Sequence, residues 1–258
     1  MISTLLIANA TLLMKATGKF SDVRFDHLCA YCAGTPDTRD HVPSRILLAK
    51  PYPENLPVVP CCDKCNKSFS LDEEYVACLI ECVLCGSTEP EQLTRENIKA
   101  ILKRKPTLRE RLTQEMVSTE QGMAFQPEWG RVERVMLKQL NGHVQFENSE
   151  ARYEEPDFLL IKPLNAISRE ESVVFWEDYT VSLLPELGSR GFHRAVQQMQ
   201  HPTTNWQVVQ EGGYRYSVDF TPDGATRARV IVRDYLACMA LWGDYEIAGI
   251  GGPHIDQK

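Results

Sequence analysis

The chain has 258 residues, 43% of them hydrophobic and 24% charged, with a formal net charge of −7. That composition excludes a disordered or low-complexity protein, and the acidic balance argues against a broad electrostatic grip on nucleic acid, leaving a local basic surface for such a partner. The length suits one large domain or two modest ones.

The opening run M-I-S-T-L-L-I-A-N-A-T-L-L-M-K has no basic leader and is shorter than a membrane span. It reads as a short buried helix or strand rather than a targeting segment, and no membrane partner is expected. Met14 is a second candidate start. Phe20, Val23, Phe25 and Leu28 then supply apolar cover for the cysteine-rich stretch that begins at residue 29. Of nine cysteines, five lie between residues 29 and 65, which fits metal-bound thiolates in a reducing, cytoplasmic compartment.

Residues 29–66 carry the chemistry. Cys29/Cys32 and Cys62/Cys65 form two C-x-x-C turns, the spacing that offers four thiolates to one structural, tetrahedral Zn²⁺. Cys61 adjoins Cys62, but only Cys62 keeps the two-residue spacing to Cys65. Between and just beyond the knuckles stand Asp40, His41, Asn55 and Asn66. An imidazole titrating near neutrality can take a proton from water, and Asp and Asn oxygens suit a hard divalent ion such as Mg²⁺ or Mn²⁺. Arg39 and Arg45 flank the pair, as phosphate contacts or as solvated charges. P-V-V-P is a short strand, and V-P-S-R-I-L-L a helical turn.

Over roughly residues 27–76 this pattern resembles the HNH family, nucleases of the ββα-metal class, in an H-N-N variant. The resemblance implies that His41 is the general base, that Asp40 and Asn66 hold a catalytic Mg²⁺ or Mn²⁺, and that Asn55 orients the loop carrying the histidine. It also implies an endonuclease hydrolysing phosphodiester bonds, with DNA as the expected substrate, although the residues themselves do not separate DNA from RNA. Many relatives carry a His or Lys one turn into the helix. Here Phe69 and Ser70 occupy that turn, which leaves the metal to more water ligands or to Asp72 or Glu73 as substitutes. The rival reading is a non-catalytic zinc module that binds nucleic acid or a protein.

A helix is expected from Asn66 to about Leu84, capped by Ser70 with Glu73 closing a capping box. Leu71, Tyr75, Cys78, Leu79 and Cys82 form its buried face. Cys78, Cys82 and Cys85 read as small hydrophobes rather than a second metal site. Residues 94–117 read as two helices split by Pro106 and capped by Thr94 and Thr107. This is the basic concentration of the chain, with Lys103, Arg104 and Lys105 facing either DNA or solvent. A third helix, 131–140, is ended by Asn141-Gly142.

The remainder is α+β: a strand at F-L-L-I, helices over Glu170–Leu184 and Gly191–Gln200, and strands at W-Q-V-V-Q, Y-R-Y-S-V-D-F and A-R-V-I-V-R-D-Y. Tyr214, Tyr216, Val218 and Phe220 share one face, and T-P-D-G makes a turn. His193, His201 and His254 are isolated. The expected organisation is therefore α+β in three parts. Residues 15–90 form the zinc-stapled ββα module, 91–142 a basic helical segment, and 143–258 an accessory region through which a protein partner would dock.

Overall fold

The computed structural model describes residues 27–119, 122–149, 151–177, 187–200, 206–220 and 225–243. Thr38–His41 (β1) and Val58–Cys61 (β2) pair antiparallel, from Thr38 opposite Cys61 to His41 opposite Val58. A 3₁₀ turn over Arg45–Leu47 occupies the connection. A long helix, α1 (Asp63–Cys85), starts directly after β2. Its cap is Cys62, whose sulfur accepts from the Cys65 amide at 3.4 Å, so the second knuckle starts the helix. Ser70 is thus not the cap. It lies inside α1 and donates to the Lys67 carbonyl at 2.8 Å. Tyr75, Cys78, Leu79 and Cys82 are buried as expected, whereas Leu71 is 68% exposed.

α2 (Glu96–Arg104) and α3 (Pro106–Glu115) follow, with Pro106 at a first-turn position where no amide hydrogen is needed. Their caps are Arg95 and Lys105, not Thr94 and Thr107. Thr94 is drawn elsewhere: its amide and hydroxyl, with the Arg95 amide, all donate to one oxygen of buried Glu81. A hairpin with no clear sequence signal, β3 (Met116–Thr119) and β4 (Gly122–Phe125), comes next.

α4 (Trp129–Asn148) runs through Asn141-Gly142 instead of ending there. Gly142 is a packing position: a Cβ on it would lie 2.6 Å from Val42 Cγ2 and 3.2 Å from the Tyr31 hydroxyl. The helix ends where Ser149 turns left-handed, φ 58°. α4 lies between α1 and a five-stranded sheet.

That sheet comprises β5 (Phe158–Pro163), β6 (Gln207–Gln210), β7 (Tyr214–Phe220), β8 (Thr226–Val232) and β9 (Leu236–Trp242). Its order is β5-β9-β8-β7-β6, antiparallel throughout. Tyr214, Tyr216, Val218, Val230 and Trp242 join the core shared with α1 and α4. Ile231, Ala237 and Met239 instead pack with Val174 and Phe175 of α5 (Arg169–Trp176). α6 (Arg190–Gln200) packs on α4. β9 is buried on both faces, so it shows no alternation in sequence. α5 carries the Ser168/Glu171 capping box and ends at Trp176.

The protein is α+β. One apolar cluster draws on all three expected segments, from Leu47 through Ile98 and Met136 to Trp242, and the expected boundary at 142 falls inside α4. The N-terminal run, Phe20, Val23, Phe25, the T-P-D-G turn, His201 and His254 lie outside the described residues. Among the described residues no helix is long and apolar enough to cross a membrane.

Candidate metal centre and active site

The first knuckle folds through short-range backbone bonds. The Cys29 amide donates to the Gly34 carbonyl at 2.7 Å, and the Ala33 amide to the Cys29 carbonyl at 3.1 Å. The Ala30 amide reaches the Pro60 carbonyl of β2 at 2.9 Å, seating the first knuckle beside the second. The Sγ atoms of Cys29, Cys32, Cys62 and Cys65 all lie within 4.8 Å of one another. Cys32 and Cys62 sulfurs are 3.8 Å apart, which matches the edge of a tetrahedron built on Zn–S bonds of about 2.3 Å. Four thiolates in a closed set suit a structural zinc. Cys61 is not one of the four, and its thiol donates to the Cys62 carbonyl at 3.2 Å. Among the described residues Cys78, Cys82 and Cys85 form no such group. Burial pushes the Cys82 thiol up to about 12, as for a small hydrophobe.

Along β1, Arg39 and His41 face outward while Thr38 and Asp40 turn toward the helices, as strand alternation requires. Asp40 is held tightly. Its Oδ2 accepts from the Tyr31 hydroxyl at 2.9 Å and pairs with the Lys138 ammonium at 2.6 Å. Lys138 comes from α4, its side chain is 1% exposed, and it also engages Glu73. Ser44 completes the cluster by donating to Glu73 at 2.5 Å and accepting from Gln139 at 2.9 Å. Phe69 closes one side, 5.3 Å from the Tyr31 ring and with the Lys138 ammonium 5.3 Å from its centroid.

His41 is half-buried, and its Nε2 lies 2.8 Å from Arg45 Nη2. Burial first, then the Arg45 guanidinium, hold His41 below the usual histidine range, which favours its neutral form. Asn66, in the first turn of α1, donates from Nδ2 to Thr38 Oγ1 at 3.4 Å. It therefore meets the same face of β1 as Asp40. Asn55 is not brought in. It is an exposed turn residue and makes no hydrogen bond with a described residue. The histidine loop is instead fixed from afar. The Ser44 amide donates to Gln139 Oε1 at 3.0 Å, Arg95 donates to the Ile46 and Leu48 carbonyls, and Gln210 binds both backbone groups of Ala49.

The two substitute ligands are also occupied. Asp72 pairs with Arg131 at 2.7 Å and Arg134 at 2.9 Å, and Glu73 shares Lys138 with Asp40. The basic segment is largely charge-compensated: Lys103 pairs with Glu91 and Lys105 with Glu74, while Arg104 donates to its own helix at the Ala100 carbonyl. Arg39 and Arg45 meet no carboxylate among the described residues, and Arg45 lies beside His41. Sequence spacing located the four cysteines that the structure brings together. It missed Tyr31, Lys138 and Gln139, whose only signal was polarity on an otherwise apolar-faced helix or a Tyr between two ligands. Comparison with known protein families, with characterised proteins and with solved structures finds no match.

Proposed function

We propose that this protein is a metal-dependent endonuclease of the HNH type, hydrolysing phosphodiester bonds, with DNA as the expected substrate. The observation that carries this reading is the order of hairpin, four-cysteine clip and helix, with Asp40-His41 ending β1 and Asn66 in the first turn of α1. A purely structural zinc knuckle has no need of a half-buried imidazole, held toward its neutral form, flanked by two arginines that meet no carboxylate among the described residues.

His41 takes a proton from the attacking water, and Arg39 and Arg45 bind the phosphate that the water attacks. The remaining oxygen donors suit a second, hard cation. Asp40 Oδ1 and Asn66 Oδ1 accept no hydrogen bond from a described residue; Asp40 lies on the inward face of β1, and Asn66 reaches that face from the first turn of α1 through Thr38. A bound Mg²⁺ or Mn²⁺ would there offset charge on the phosphate and the leaving oxygen. The thiolates are chemically unsuited to that ion, so the two metal sites keep separate roles.

Plasmid nicking tests the reading. Wild-type protein with Mg²⁺ or Mn²⁺ should nick, and His41→Ala should lower the rate by roughly 10²–10⁴-fold at unchanged zinc content. Wild-type rates from a folded His41→Ala protein would sink it. One observation favours a second reading, a non-catalytic zinc module binding nucleic acid or protein: the Lys138 ammonium already neutralises Asp40. A wild-type protein that binds DNA yet never nicks it with either cation would decide for that alternative.

A further inference from the structure

The contact between Arg45 and His41 has a chemical consequence. A guanidinium only donates, so at 2.8 Å the Nε2 atom of His41 must accept, and the neutral ring carries its single proton on Nδ1. In that arrangement neither nitrogen can take a proton from water. The Nε2 lone pair is in use, and Nδ1 already has its hydrogen. The residue best suited to act as base is held idle by its neighbour four positions along.

We propose that Arg45 is a latch on His41, opened by an anionic phosphodiester; this rests on the nuclease reading of the same site. A phosphate oxygen pair is the stronger partner for a guanidinium, since it is charged and can be gripped by two parallel N–H groups, whereas an imidazole nitrogen is neutral and takes one. Arg45 is exposed and meets no carboxylate among the described residues, so an arriving phosphate displaces only the His41 contact. Arg39, on the outward face of β1 that also carries His41, adds a second cation at the point of arrival.

The backbone around Arg45 is anchored on both sides. Gln139 holds the Ser44 amide, and Arg95 holds the Ile46 and Leu48 carbonyls. Only the Arg45 side chain has to swing. Binding of substrate then frees the Nε2 lone pair at the moment it is needed. A neutral ester, which cannot attract the guanidinium, leaves the histidine latched.

The test is the ¹⁵N NMR signature of the His41 ring in the full-length, zinc-loaded protein, with no Mg²⁺ or Mn²⁺ added so that DNA stays intact. The expected wild-type spectrum has a protonated Nδ1 and a hydrogen-bonded Nε2. Arg45→Met should move the Nε2 signal to that of a nitrogen lacking the donor. Titration with inorganic phosphate or a short DNA duplex should move the wild-type signal the same way and leave Arg45→Met unchanged. Zinc content and circular dichroism check that the variant is folded. Identical ring signals in wild type and Arg45→Met overturn the latch. So does a wild-type signal that neither probe moves. A wild-type ring that responds to phosphate in a protein that never nicks DNA keeps the latch and removes the nuclease reading. Nicking by a protein whose ring signal never moves does the reverse.

Discussion

Lys138 is the residue on which the candidate site is most dependent. Its ammonium is buried between Asp40 and Glu73, with Ser44 as a further partner and the Phe69 ring 5.3 Å away. A buried charge cluster of this kind adds little net stability over an apolar one, but losing one partner strands the others without water. Lys138→Met should therefore cost about 3–5 kcal/mol, read from urea midpoints. Combining it with Glu73→Gln should cost less than the sum of the two single changes by more than about 1 kcal/mol, because the two residues share one interaction. A cost below about 1 kcal/mol for Lys138→Met, with additive behaviour, would show that the cluster is solvated rather than buried. None of this is legible in the sequence, since Lys138 is separated from Asp40 by nearly a hundred positions and spacing arguments act locally. The four cysteines are legible because each pair lies within one turn and chelation fixes the spacing.

At the scale of elements, the hairpin and α1 follow from local chemistry, while α4 does not. Asn141-Gly142 is locally a turn and helix-end signal. In the folded chain Gly142 stays helical because it is the point where α4 crosses Val42, next to His41. The absent Cβ is a requirement of that crossing. In an exposed helix Gly→Ala would stabilise by about 1 kcal/mol through helix propensity. Here Gly142→Ala places a methyl 2.6 Å from Val42 Cγ2, so the expected result is a loss of roughly 1–3 kcal/mol from overpacking. On the proposed nuclease function, nicking should fall with it, because Val42 directly follows His41 in the histidine loop. A more stable Gly142→Ala protein with undiminished activity would mean that α4 does not press on the histidine loop. Tertiary contacts override local signals elsewhere too. Thr94 has the chemistry of a cap but is bound by Glu81, and β9 shows no alternation because both of its faces are covered.

At the scale of the whole molecule, α4 also joins the candidate site to the sheet, through a second set of polar residues farther along the helix. His143 is fully buried, stacks on Tyr216 with ring centroids 3.7 Å apart, and shares a 2.9 Å hydrogen bond with the Tyr214 hydroxyl. Nearby, Glu147 accepts from the Tyr216 hydroxyl at 2.5 Å and pairs with Arg194 of α6, with Arg190 at 3.9 Å. Burial, and then the Arg194 charge, hold His143 well below the usual histidine range. In the unfolded chain the same ring takes up its proton near pH 6.5. Above that pH both states are neutral and His143 contributes no pH dependence. Below it the unfolded chain binds a proton that the folded chain refuses, so stability falls as pH falls, approaching about 1.4 kcal/mol per pH unit. Other groups titrate over this range, so the informative quantity is a difference. Between pH 7.5 and 5.5 the wild type should lose roughly 1.4 kcal/mol more than His143→Gln, measured from urea midpoints at both pH values. Equal losses would mean that His143 is protonated in the folded protein, and that the interface of α4, α6 and β7 admits a charge that its burial argues against.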